Sequence, residues 1–277
     1  MPVTKRRTTT KKPRVLAELI LFGIETEFTR PNHGESNSSA DINATAQAAV
    51  EKFHKGDLSE ELDATGRDGG GIEVISEPHN FEWWSKNGLK LYAFTQALKD
   101  LKFVADNNLA GIHVHVDRSI FVYDQFKEFL KFLSTYQKFL SYISRRKERA
   151  RYFCNLNTTS GKTGNPASEF TKEIYERNNT YLGNNTITLN NHGKYGTIEC
   201  RFFNGSLEPT EIMLALEFVR SVCYFIKSRR EKTLLAYVGY IKDYGKKYPN
   251  LLSWMEKESL ISKGVVKETK VASFTTE

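Results

Sequence analysis

The sequence predicts an α+β domain, with a mainly antiparallel sheet carrying helices on one side. Two observations lead there. Short β-branched runs with strict alternation of apolar and polar residues occur early in the chain and again in two later places. Amphipathic stretches, with apolar residues at intervals of three and four, back each group of strands.

Taken in order, the chain opens with a basic tail over residues 1–17, expected to be disordered. Lys5, Arg6, Arg7, Lys11, Lys12 and Arg14 all precede the first acid, Glu18. They account for six of the seven net positive charges, so the body of the protein is close to neutral. Such a tail would hold nucleic acid or another polyanion without sequence preference, and it is no sign of a DNA-binding fold. ELILFGIETEF reads as the first strand. After a loop rich in Asn, Ser, Gly and His, a helix is predicted over residues 39–53. The glycine-rich GRDGGG leads into a second strand, GIEVIS, ending at Glu77-Pro78. Residues 82–106 have helical spacing, and the strand AGIHVHVD follows.

The segment from Asp124 to Tyr152 predicts one long helix, with Phe126, Phe129, Leu130, Leu133, Tyr136, Leu140 and Ile143 on a single stripe. That stripe is core. Residues 154–185, dense in Asn, Thr, Gly and Lys, predict a long loop with one short helix. Two strands, NTITLNN and GTIECRFFNG, come next. A helix over residues 209–229 follows, with Ser206 as its cap and Pro209 in its first turn. Further helix runs to about residue 263, and residues 266–277 are expected to fray. The organisation is thus a tail, one catalytic domain over 18–265 and a loose end.

Composition narrows the classes. The chain is 39% hydrophobic and 26% charged, as suits a soluble globular protein. No apolar run approaches the roughly 20 residues of a membrane-spanning helix. The start lacks the apolar segment of a secretory signal, and Cys154, Cys200 and Cys223 are too few for a disulfide framework. A cytoplasmic protein without membrane attachment is expected.

Four strands share one device. Glu25 and Glu27 alternate with Ile24, Thr26 and Phe28, so both acids face one way. His113 and His115 alternate with Ile112, Val114 and Val116, and Glu199 and Arg201 with Ile198, Cys200 and Phe202. Glu73 stands between Ile72 and Val74. A solvated antiparallel sheet also alternates, but its outer face normally mixes Thr, Lys, Ser and Gln. Four glutamates, two histidines and one arginine are instead ligands for a hard cation plus a phosphate clamp. Converging carboxylates repel unless cations neutralise them, and an oxygen-rich set suits Mg²⁺ or Mn²⁺ better than zinc. Magnesium held this way presents ATP for phosphoryl transfer.

GIETE, GIEVIS-P, GIHVHVD and GTIECRFFNGSL, in this order, resemble the successive signatures of the amidoligases, in the glutamine synthetase and glutamate–cysteine ligase superfamily of carboxylate–amine ligases. The resemblance runs from about residue 19 to residue 229. It implies a curved antiparallel sheet like the glutamine synthetase catalytic domain, whose concave face holds ATP and divalent ions. It matches Glu25, Glu27, Glu73, His113 and Glu199 to metal ligands. His115 matches a nucleotide or phosphate contact and Arg201 the arginine at the transferred phosphate; with Glu27 these form the expected catalytic set. Arg151 and Arg177 are the candidates for binding the acid substrate or nucleotide, and Asp63 or Asp68 stands for the family's Asp-Gly-Ser element.

The expected activity is ATP-dependent joining of a small-molecule carboxylate and amine through an acyl phosphate. Two alternatives are a guanidino-kinase-like phosphotransferase on the same sheet and a non-enzymatic binding protein acting through its basic tail. SGKTGN contains the Gly-Lys-Thr of a phosphate-binding loop, but Leu156 stands where that loop needs glycine. A mobile loop is expected there.

Overall fold

The computed structural model describes residues 20–29, 44, 62–67, 71–88, 91–105, 110–145, 158–159, 162–163, 170–176, 180–182, 186–190 and 196–275. The basic tail and the helix expected over 39–53 lie outside the described residues, apart from a helical position at Ala44.

The alternating runs form one sheet. Strands β1 (Leu21–Thr29), β2 (Leu62–Arg67), β3 (Gly71–Ser76) and β4 (His79–Asn80) come first. Helices α1 (Phe81–Asn87) and α2 (Leu91–Asp100) follow, then β5 (Gly111–Asp117), α3 (Tyr123–Thr135) and α4 (Gln137–Ser144). Next come the two-residue strands β6 (Thr158–Thr159) and β7 (Lys162–Thr163), α5 (Lys172–Glu176), β8 (Thr180–Leu182), β9 (Ile187–Asn190) and β10 (Thr197–Asn204). The strand order is β2-β3-β1-β5-β10-β9-β8, with β4 against the start of β1, and these pairings are antiparallel. The mainly antiparallel sheet predicted from sequence is therefore present, and its central strands are the four that carry the charged pairs or sit beside them.

One face of the sheet is apolar. Phe22, Ile24, Val114, Val116, Ile198 and Cys200 are each at most 3% exposed, so this face is fully desolvated. It packs against α3, α4 and α6 (Pro209–Ser228). Helix α6 is apolar nearly all round, as a helix at the centre of a core must be. Helices α7 (Leu234–Tyr244) and α8 (Pro249–Lys257) pack on it in turn. A smaller cluster joins Phe28, Ile72 and Val74 to Phe94 and Leu98 of α2. Gly205 closes β10 where a Cβ would lie 2.5 Å from the Ala105 carbonyl, so this crossing has room for hydrogen alone. No helix among the described residues is long and apolar enough to cross a membrane.

Several local readings need correction. The helical stretch 82–106 is two helices and then a bridge from Val104 to Thr29. The Asn80 side chain accepts from the Trp83 amide and starts α1, and the Trp84 indole donates to the Phe22 carbonyl. Each helix thereby covers a different part of the sheet. The long helix breaks at Tyr136, whose backbone leaves the helical region (φ −107°, ψ 42°), although the apolar periodicity runs on. Ser206 does not occupy the cap position of α6, which is Glu208; its hydroxyl instead accepts from the Glu208 amide. The expected 154–185 loop contributes β8 as an edge strand of the sheet.

Beyond α8, β11 (Ile261–Ser262) and β12 (Val265–Val266) form a small hairpin, followed by α9 (Glu268–Ala272). The C-terminal end was expected to fray, but Val271 is buried and Phe274 packs edge-on to Phe139. One buried valine and the contacts of Phe274 with Phe139 and Tyr142 dock five helical residues that show no long periodicity.

Candidate active site

Register turns the alternating acids into one cluster. Glu25 lies directly opposite His113, Glu27 opposite Glu73, and Glu199 opposite His115. Directly opposed side chains on one face stand about 5 Å apart at their Cβ atoms. Residues separated by up to 174 positions in sequence therefore meet on the face turned away from the apolar core.

His113 is the centre. Its Nδ1 lies 3.3 Å from Glu25 Oε2 and 3.4 Å from Glu199 Oε1, while Nε2 lies 3.7 Å from Glu27 Oε1. His115 Nε2 stands 2.9 Å from Glu25 Oε2, and its Nδ1 3.4 Å from Thr197 Oγ1. Arg201 pairs with Glu199. Glu27 and Glu199 are 4% exposed and His113 only 2%, values usual for apolar side chains and rare for acids.

Burial is the largest influence on the Glu25 carboxyl and by itself would raise its pKa. Hydrogen bonds with His113, His115 and Glu73, with the His113 charge, together outweigh it and hold the group well below the ordinary carboxylate range. The cluster thus keeps at least this carboxylate ionised while shielding it from water.

Two overlapping triads, Glu25–His113–Glu199 and Glu27–Glu73–His113, place one ligand atom of each member within 4.8 Å of the others. Carboxylate oxygens with one imidazole fit a hard divalent cation. The Thr188 hydroxyl, buried on β9 directly opposite Glu199, has no hydrogen-bond partner among the described residues. It is a further polar atom on this face, and the residues present fit a divalent ion.

The seven expected residues Glu25, Glu27, Glu73, His113, His115, Glu199 and Arg201 are therefore brought together. Arg151, Arg177 and Asp68 lie outside the described residues, and Asp63 sits in β2, opposite Ile75. Lys162 and Thr163 of SGKTGN pair with Thr158 and Thr159 as a small hairpin. Thr188 and Thr197 were missed, since a threonine in a strand is unremarkable in sequence; their alternation with Ile187, Leu189 and Ile198 was the available signal.

A family model described as "Putative amidoligase enzyme" matches residues 56–223, more than half of the chain. The chain belongs to the amidoligase family. The match spans Glu73, His113, His115, Glu199 and Arg201. This amidoligase also matches a solved structure titled as the complex between prokaryotic ubiquitin-like protein Pup and its ligase PafA. That match has a TM-score of 0.36 and 11% identity, and covers 94% of this chain but 62% of the other. The curated proteins contain no match to it. Membership of the family rests on the family match.

Proposed function

We propose that this amidoligase is an ATP-dependent carboxylate–amine ligase, with its catalytic domain over residues 18–265. The observation that carries the reading is the cluster of four glutamates and two histidines on one sheet face, closed by Arg201, in a chain that matches the amidoligase family. In the proposed reaction a carboxylate oxygen of the acid attacks the γ-phosphorus of ATP, and the bond to the β,γ-bridging oxygen breaks to release ADP. The amine nitrogen then attacks the acyl-phosphate carbon. Phosphate leaves, the nitrogen gives up a proton, and an amide remains.

Glu25, Glu27, Glu73, His113 and Glu199 would hold Mg²⁺ or Mn²⁺, which supplies charge neutralisation to the nucleotide phosphates when bound. The chain's own residues would do the rest. Arg201 offers a planar fork to the phosphoryl group in transfer, a task for which its delocalised charge suits it. His115, steadied by Thr197, contacts a phosphate oxygen. Glu27, buried beside His113, would be the ligand on the inner side of the cluster. Positioning contributes most, because the acyl phosphate brings its own reactivity.

The test is ADP and phosphate release with pooled amino acids and polyamines. Wild type should turn over, and Glu25→Ala and Arg201→Ala should each lose about a hundredfold or more. Equal turnover in all three removes the assignment. A phosphorylated product without free phosphate would make the protein a phosphotransferase instead.

A further inference from the structure

The helical layer, on the opposite side of the sheet from the carboxylate cluster, contains a separate cavity of about 590 Å³. It opens between the start of α1, the middle of α6 and the turn into α8, where Phe81, Met213, Arg220, Lys246, Lys247 and Asn250 line it. A volume of that size accommodates a small organic ligand.

Arg220 is its unusual wall. The guanidinium lies 3.9 Å from the centre of the Phe81 ring, 5.0 Å from Tyr224 and 5.2 Å from Tyr248. These rings satisfy its faces. Its edge is not satisfied: Nε and Nη1 are buried and have no hydrogen-bond acceptor among the described residues. A buried donor left in that state costs about 1–3 kcal/mol, and an arginine cannot escape by losing its proton.

The two acids bordering the cavity are engaged elsewhere. Glu82 pairs with Lys86 at 2.7 Å. Glu217 accepts from the Asn250 amide at 2.7 Å and the Leu251 amide nitrogen at 2.8 Å. Burial also pushes the Glu217 carboxyl up to about 7, so near neutrality it is only partly ionised and leaves part of the arginine's charge unopposed. Lys246 and Lys247, both exposed, add two more positive charges at the mouth.

We infer that this cavity binds a small multiply charged anion, of the phosphate or polycarboxylate class, through Arg220, Lys246 and Lys247. The anion's oxygens supply the acceptors that the guanidinium edge lacks, and Arg220 turns toward the cavity mouth to reach them. Phe81 and Met213 give an apolar wall to the rest of the ligand. The inference uses no residue of the ligase site and stands apart from that reading.

Calorimetric titration of the full chain, freed of divalent metals by passage over a chelating resin and held in a buffer without EDTA, with inorganic pyrophosphate in one arm and citrate in the other, tests it. Wild type should bind at least one anion saturably, with a Kd of about 1 mM or tighter. The anion that binds assigns the class. Lys246→Gln with Lys247→Gln should weaken binding at least about tenfold, the loss expected when charge-assisted hydrogen bonds of about 1.4 kcal/mol or more are removed. Arg220→Gln should weaken it as much. Lys131→Gln with Lys263→Gln, an equal charge change on exposed residues elsewhere, should bind as wild type does. No saturable binding of either anion, or equal weakening in both lysine pairs, overturns the proposal.

Discussion

Glu25 and Glu217 are both acids largely withdrawn from water, yet their carboxyls move in opposite directions. Glu25, on the polar sheet face, is held well below its ordinary range. Glu217, in the middle of α6, is pushed up to about 7. Desolvation is the largest single influence on each and raises both. What differs is the company. Glu25 has two imidazoles and a second carboxyl within hydrogen-bonding reach, whereas Glu217 has one amide side chain, backbone amides and the charge of Arg220, which is not a hydrogen-bond partner. The sheet face is built to keep charge; the helical layer is built to exclude water and tolerates one acid at a cost.

The largest effect should come from the helical layer, where packing rather than charge decides. Phe218 is 1% exposed and its ring meets Phe139, Phe202, Phe203 and Tyr237 at centroid distances of 5.8 to 6.2 Å. Phe218→Ala should lower stability by about 4 kcal/mol in urea denaturation. A loss below about 1 kcal/mol would mean that this layer is not the close-packed half of the molecule.

The next effect comes from Glu217 and has a definite sign. In the unfolded chain the carboxyl loses its proton near 4.5, whereas in the folded protein it keeps it up to about 7. Between those values folding takes up a proton, so stability falls as pH rises, by about 3 kcal/mol across the window. Below it the contribution is level. Glu217→Gln should remove this decline, leaving the variant less sensitive to pH than wild type between pH about 4.5 and 7 when both are unfolded in urea. Parallel pH profiles would show that the buried acid is not charged at a cost after all.

The same contrast explains what could be read from the sequence. The polar face was legible because strand geometry converts a period of two into a shared side, so Glu25 with Glu27 and His113 with His115 announced themselves locally. Their convergence was not written in any one segment; it depends on β1 lying between β3 and β5, and β5 beside β10. Strands β2 and β8 were missed because LDATGR and TYL are short and polar, and edge strands need no apolar alternation. Arg220 was missed for the opposite reason. One arginine in an apolar helix reads as its wet edge, and only packing shows it laid over Phe81 with donors unmet. Helix breaks at Tyr136 and after Asn87 were invisible because periodicity continued through them.

The smallest effect is the most discriminating. Glu27 stands directly opposite Glu73, with His113 3.7 Å away, so a buried acid and a half-buried one face each other on the sheet. Without a divalent ion their mutual repulsion opposes folding, and a neutral amide of the same shape relieves it. Glu27→Gln should therefore raise stability in EDTA by about 1 kcal/mol, the trade expected where function is set against folding. Added Mg²⁺ should reverse the order: a ligand that binds only the folded state stabilises it in proportion to its affinity, and wild type has the ligand the variant lost. The thermal midpoint of wild type should rise with Mg²⁺ concentration while that of the variant rises less. If both rise together, the four carboxylates hold no shared ion, and the sheet face is no more a cation site than the helical layer is.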